Sequence, residues 1–153
     1  MTTTTQIHND IHREGAPMTA LAEHAHWLPR LALAGVFAFH GVQKFTVMGI
    51  DGFAGMMGLP WLLALLVALA EVATGVGVLV GGAVRGAIGD ALTRLSGLAA
   101  MPVLLGAIAM VHWGRWSFTA AESHPMGGME FQVVLLLLAV WFVVRGNEAG
   151  AGR

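Results

Sequence analysis

Four long apolar stretches, separated by short polar or glycine-rich breaks, occupy the chain from residue 28 to residue 145. A helix that crosses a bilayer needs about 20 mainly apolar residues. The stretches that qualify are 28–47 (LPRLALAGVFAFHGVQKFTV), 60–82 (PWLLALLVALAEVATGVGVLVGG), 91–113 (ALTRLSGLAAMPVLLGAIAMVHW) and 128–145 (GMEFQVVLLLLAVWFVVR). No stretch suggests a strand, and no repeat of fixed period is visible. The links MGIDGFAGMMGL, GGAVRGAIGD and GRWSFTAAESHPMG carry turn residues. Short links join antiparallel neighbours, so the pattern predicts an all-α fold, a transmembrane up-down four-helix bundle over 28–146. Residues 1–27 read as a disordered cytoplasmic tail, in which TALAEHAHWLP forms an interfacial helix anchored by Trp27. Residues 147–153 read as a cytoplasmic C-terminal tail.

Composition strengthens the membrane reading. The 153 residues are 56% hydrophobic and 11% charged, and the mean hydropathy is +0.71. Soluble domains are about 45–50% apolar and about 25% charged. The absence of cysteine excludes disulfides, iron–sulfur clusters and thiol redox chemistry within this sequence. A net charge of −1 leaves no nucleic-acid footprint. Orientation follows from the basic residues. Arg13, Arg30, Arg85, Arg94, Arg145 and Arg153 fall on one side, Lys44 and Arg115 on the other. This bias predicts both termini in the cytoplasm, with most of these arginines serving topology and lipid headgroups.

Charges inside the apolar runs mark candidate chemistry. At ~1.5 Å per residue, His40 lies about two-thirds of the way across the first span. Lys44 sits one turn beyond it on the same face. His112 ends the third span, and Glu130 and Gln132 open the fourth. These five groups share the outer third of the bundle, with Glu71 below them near the midplane. An acid at that depth costs about 2.5–3.5 kcal/mol, so Glu71 is expected to be neutral or paired, with Lys44 and His40 as partners. Such intramembrane groups mark functional sites by default. Each also has a plainer reading: a snorkelling Lys44, an interfacial His112, a helix–helix bond at Gln132, a dipole effect at Glu130. Gly77 and Gly81, at GxxxG spacing, allow close helix approach within the bundle or to a second copy. Met101, Met110, Met126 and Met129 fit a pocket lining or gap filling. No histidine spacing within the apolar stretches suggests a metal site, and a haem between His40 and His112 is disfavoured because His112 lies about one turn nearer the surface.

The order of these elements resembles the DoxX family of small bacterial and archaeal membrane proteins. The resemblance spans Arg30 to Gly146. It rests on RLALAGVFAFHGVQKF (Gly41, Lys44, Phe45), GFAGMMGLP, ALAEVATGVGVLVGGAVR (Glu71) and GGMEFQVVLLLLAVWFVVRG (Glu130). It implies a four-helix protein of the cytoplasmic membrane. Some family members are described as the membrane subunit of a thiosulfate:quinone oxidoreductase, others as partners of redox enzymes in oxidative-stress resistance.

Three functions fit these observations. The first is a redox-associated subunit that binds a quinone or similar lipophilic molecule, its site built from His40, Lys44, Glu71, His112, Glu130 and Gln132. Its catalytic partner would then be another polypeptide, the chain acting as the membrane subunit of a quinone-linked oxidoreductase. The second is a non-catalytic membrane scaffold for a partner protein. The third, a small-solute or proton carrier, is weakened by only four spans and no inverted repeat.

Overall fold

The computed structural model describes residues 24–147. The expectations for residues 1–23 and 148–153 lie outside the described residues. Those described form five α-helices and no strand: α1 Trp27–Thr46, α2 Gly49–Met57, α3 Trp61–Ala83, α4 Gly86–Ala107 and α5 Glu130–Arg145. A π-helical turn, Ile108–His112, continues α4. The connection to α5 contains one isolated bridge, Ala121 with His124.

The all-α expectation holds, but the spans differ from it. Among the described residues, two helices are long and apolar enough to cross a membrane, Trp61–Ala83 and Gly86–His112. A third exists if α1 and α2, bent by 108°, count as one broken span. The stretch at 128–145 gives a helix of 16 residues, about 24 Å long. Its start is delayed because Gly128 and Met129 donate their N–H groups to Ser117 and Arg115 carbonyls. The third stretch extends the other way. Its helix begins at Gly86, so only Val84 and Arg85 link it to α3, and it runs on through Pro102.

The first predicted link is itself a helix. Ile50, Phe53, Ala54 and Met57 recur at helical spacing and pack against Ala64, Leu59 and Val67. Glycines bracket the element. Gly49 takes φ +68 at its start and Gly58 takes φ +63 at its end, a left-handed conformation that costs glycine little.

Successive long helices pack side by side: α1 on α3, α3 on α4, and α4 on α5. The main core draws on all four through Leu33, Phe37, Val78, Leu104, Leu135 and Phe142. Close approach is decided by small residues. A Cβ at Gly41 would lie 2.8 Å from the Val72 backbone nitrogen, and one at Gly75 would lie 2.8 Å from that of Ala38. The pairings Gly41–Val72 and Ala38–Gly75 set α1 antiparallel to α3. Gly77 and Gly81 abut Ser96 and Thr93 of α4, so this small-residue face is used inside the chain.

At the opposite end from Lys44, Arg30 is 1% exposed. Its Nη1 donates to Val78 O (2.8 Å) and Thr93 Oγ1 (3.0 Å), and its Nη2 donates to Asn147 Oδ1 (2.7 Å). The guanidinium stacks 5.1 Å from the centre of the Phe142 ring. Asn147 also donates through Nδ2 to Gly81 O and through its backbone N–H to Asp90. Arg94 donates to Asp90 and to the carbonyls of Val143 and Val144 at the end of α5. Arg30 and Arg94 are thus exceptions to the headgroup reading: they fasten helices together. A guanidinium has five N–H donors in a planar fork, so one side chain bonds several elements at once.

Candidate functional site

The site begins where α1 and α3 come closest. With no side chain at Gly41, the next turn of α1 brings Lys44 against Glu71. Lys44 Nζ donates to Glu71 Oε2 at 2.5 Å, and both side chains are under 10% exposed. Lys44 also reaches its own helix, donating to His40 O at 3.4 Å. Its ammonium lies 4.7 Å from the centre of the Phe53 ring of α2, within cation–π range. A buried acid that is paired and hydrogen-bonded avoids most of the penalty of burial.

Beside this pair lies a cavity of about 650 Å³. Its walls are mainly apolar, with Phe37, Leu63, Val67, Val103 and Leu135 among them. Leu66, Met110, Met126 and Phe131 also line it and are between 45% and 63% exposed, so its rim opens on the apolar outer surface. Met101 packs on the main core instead, and Met129 lies outside the lining.

Five of the six candidate residues line this one cavity: His40, Lys44, Glu71, His112 and Gln132. Glu130 does not. Its Oε2 accepts from the Phe118 backbone N–H at 3.2 Å, which fastens the connection between α4 and α5. His40 lines the cavity from an exposed position on α1. His112 is held on the buried face by the π turn, four residues beyond Ile108 and eight beyond Leu104, both buried.

The hydrogen bonds around His112 fix its tautomer. Nδ1 lies 2.9 Å from Gly127 O. A carbonyl only accepts, so Nδ1 carries the proton, and in the neutral ring Nε2 accepts from Gln132 Nε2 at 2.9 Å. Both ring nitrogens are thus engaged within the protein. Gln132 Oε1 is buried without a hydrogen-bond partner.

Sequence reasoning missed Gln43, Phe53 and the Arg30–Asn147 network. Gln43 lies one turn from His40 on the cavity face, and its helical spacing was the available signal. Phe53 was visible only if the glycine-rich link was read as a helix. Arg30 carried no signal that set it apart from the other arginines at span ends.

Comparison with known proteins places this architecture. The DoxX family model matches residues 26–113, more than half of the chain. A Bacillus subtilis (strain 168) protein named "Putative oxidoreductase CatD" is 31% identical over 122 residues, 79% of this chain and 78% of that protein. No solved structure matches the chain. The family match covers Gly41, Lys44, Glu71 and His112 and stops before Glu130 and Gln132, a shorter reach than the resemblance to Gly146 suggested. With its apolar helices and a family match that runs from α1 through the π turn, the chain belongs to the DoxX family of membrane proteins.

Proposed function

We propose that this protein is the membrane subunit of a redox system and binds a quinone or similar lipophilic molecule in the cavity beside Lys44 and Glu71. The observation that carries the reading is an apolar cavity, open through an apolar rim, with a buried ion pair in its wall. A volume of about 650 Å³ lies within the ~300–1,000 Å³ usual for small-molecule sites. A guest dissolved in the bilayer would enter through Leu66, Met110 and Phe131 without crossing water. The name of the Bacillus relative supports a redox setting. In this reading the chain sits in the cytoplasmic membrane with both termini inside, and α1–α2, α3, α4 and α5 form the four-helix bundle. The electron-transfer partner is a separate polypeptide.

The test is a titration of the purified protein in lipid nanodiscs with a short-chain quinone, read by quenching of tryptophan fluorescence. Saturable quenching above that of empty discs is expected, and it should weaken about tenfold or more in His40→Ala, the scale of one lost polar contact. Absence of saturable quenching in the unaltered protein would sink the reading. The scaffold reading has one observation in its favour, that Lys44 spends its protons within the protein. It predicts that Glu71→Gln lowers thermal stability and recovery of a partner while no guest binds at all.

A further inference from the structure

The polar groups of the cavity are unequal in kind. Lys44 brings three N–H donors, and the protein occupies all three directions: Glu71 Oε2, His40 O and the face of Phe53. A guest could gain a bond from Lys44 only by displacing one of these. Glu71 is in the opposite position. One carboxylate oxygen takes Lys44, and the other has no hydrogen-bond partner among the described residues while its side chain lines the cavity. A carboxylate oxygen only accepts.

The α5 side repeats this bias independently. The Gly127 carbonyl forces His112 Nδ1 to donate, so His112 Nε2 accepts and Gln132 turns its amide nitrogen toward it. The amide oxygen of Gln132 is the atom left over, buried and unpartnered. The Gln132 side chain belongs to the lining of the same cavity. His40 and Gln43, which also line the cavity, serve in either sense and do not discriminate. At Glu71 the cavity offers an acceptor, and the donors of Lys44 beside it are already engaged.

We infer that the cavity selects lipophilic guests that carry a hydroxyl, and that Glu71 accepts the bond from it. The inference rests on the proposed reading of the cavity as a ligand site and adds the hydrogen-bonding sense of the guest. A ring carbonyl placed at Glu71 would set one acceptor against another, and both would lose their water without return. A ring hydroxyl satisfies the carboxylate. For a guest that exists in carbonyl and hydroxyl forms, the site then holds the reduced, hydroxyl form more tightly.

Two probes of one ring system separate these ideas without any redox step: 2-naphthol and 2-methoxynaphthalene. The ether carries an extra methyl group, so apolar burial alone favours it. Saturable binding to the full-length protein in nanodiscs is measured against empty discs. The expected result is that 2-naphthol binds about tenfold or more tightly than the ether, as a bond to a charged acceptor provides. In the double variant Lys44→Met with Glu71→Leu, both probes should bind and the preference should vanish. Equal or tighter binding of the ether to the unaltered protein would overturn the inference and leave the cavity reading standing. Binding of neither probe would overturn both. Since the comparison of probes in the unaltered protein is decisive, the result survives a double variant that fails to fold.

Discussion

Lys44 and Glu71 stand 27 residues apart in the chain and 2.5 Å apart in the fold. Removing one member strands the other in an apolar setting, which costs about 3–5 kcal/mol for a buried pair. Lys44→Met should therefore lower the unfolding midpoint sharply. The double variant Lys44→Met, Glu71→Leu should recover most of the loss, because well-packed apolar groups replace a buried pair at little cost. Denaturant unfolding in detergent checks both, and a double variant worse than the single would refute the pairing. This pair was legible in the sequence because a charge deep in an apolar run demands an explanation. Arg30 was not legible. Its burial depends on Thr93, Phe142 and Asn147, all more than 60 residues away, and an arginine near a span end looks like any headgroup ligand.

The glycines decide spacing at the scale of elements. Gly41→Leu would drive a side chain into the backbone of α3 at Val72. The expected cost is about 1–3 kcal/mol, together with loss of the Lys44–Glu71 contact and of any guest binding. Gly35 has open space where its Cβ would stand. Gly35→Ala should thus be neutral or stabilise α1 by about 0.5–1 kcal/mol. Thermal melts of the two variants side by side would show whether helix contact, rather than glycine content, sets stability. The sequence pointed to Gly77 and Gly81 because they sit at a known spacing. Gly41 stood out only through the family resemblance and Gly75 not at all, because they act across helices with no fixed spacing between them. In α2, Gly49, Gly52, Gly55 and Gly58 masked a helix that Ile50, Phe53, Ala54 and Met57 spell out.

The whole molecule has two polar anchor points at opposite ends of α1, Arg30 and Lys44, roughly 21 Å apart along the helix. They share no hydrogen-bond partner among the described residues. Asn147→Ala removes the bonds its side chain makes to Arg30, Thr93 and Gly81. This should cost roughly 2–4 kcal/mol, since a buried guanidinium loses a partner. Its effect should add to that of Lys44→Met within about 0.5 kcal/mol, as expected for sites this far apart. Hydrogen exchange should quicken near Arg30 and stay unchanged near Lys44 in Asn147→Ala. A strongly non-additive pair would mean that the ends are mechanically coupled. The all-α class and the helix order were legible from hydropathy alone. The bend between α1 and α2 and the short α5 were not, because they follow from a left-handed glycine and from backbone bonds in the connection between α4 and α5.

The anchoring of Arg30 also has a meaning in time. Val78 and Thr93 emerge from the ribosome well after α1, and Phe142 and Asn147 emerge later still. During synthesis a guanidinium in the first helix waits, with its bonds incomplete, for the last helix to be made. A nascent chain interrupted before α5 would hold Arg30 by Val78 and Thr93 alone, without Asn147 or the Phe142 ring. The first helix thus reaches its final set of bonds only when the last one has been made.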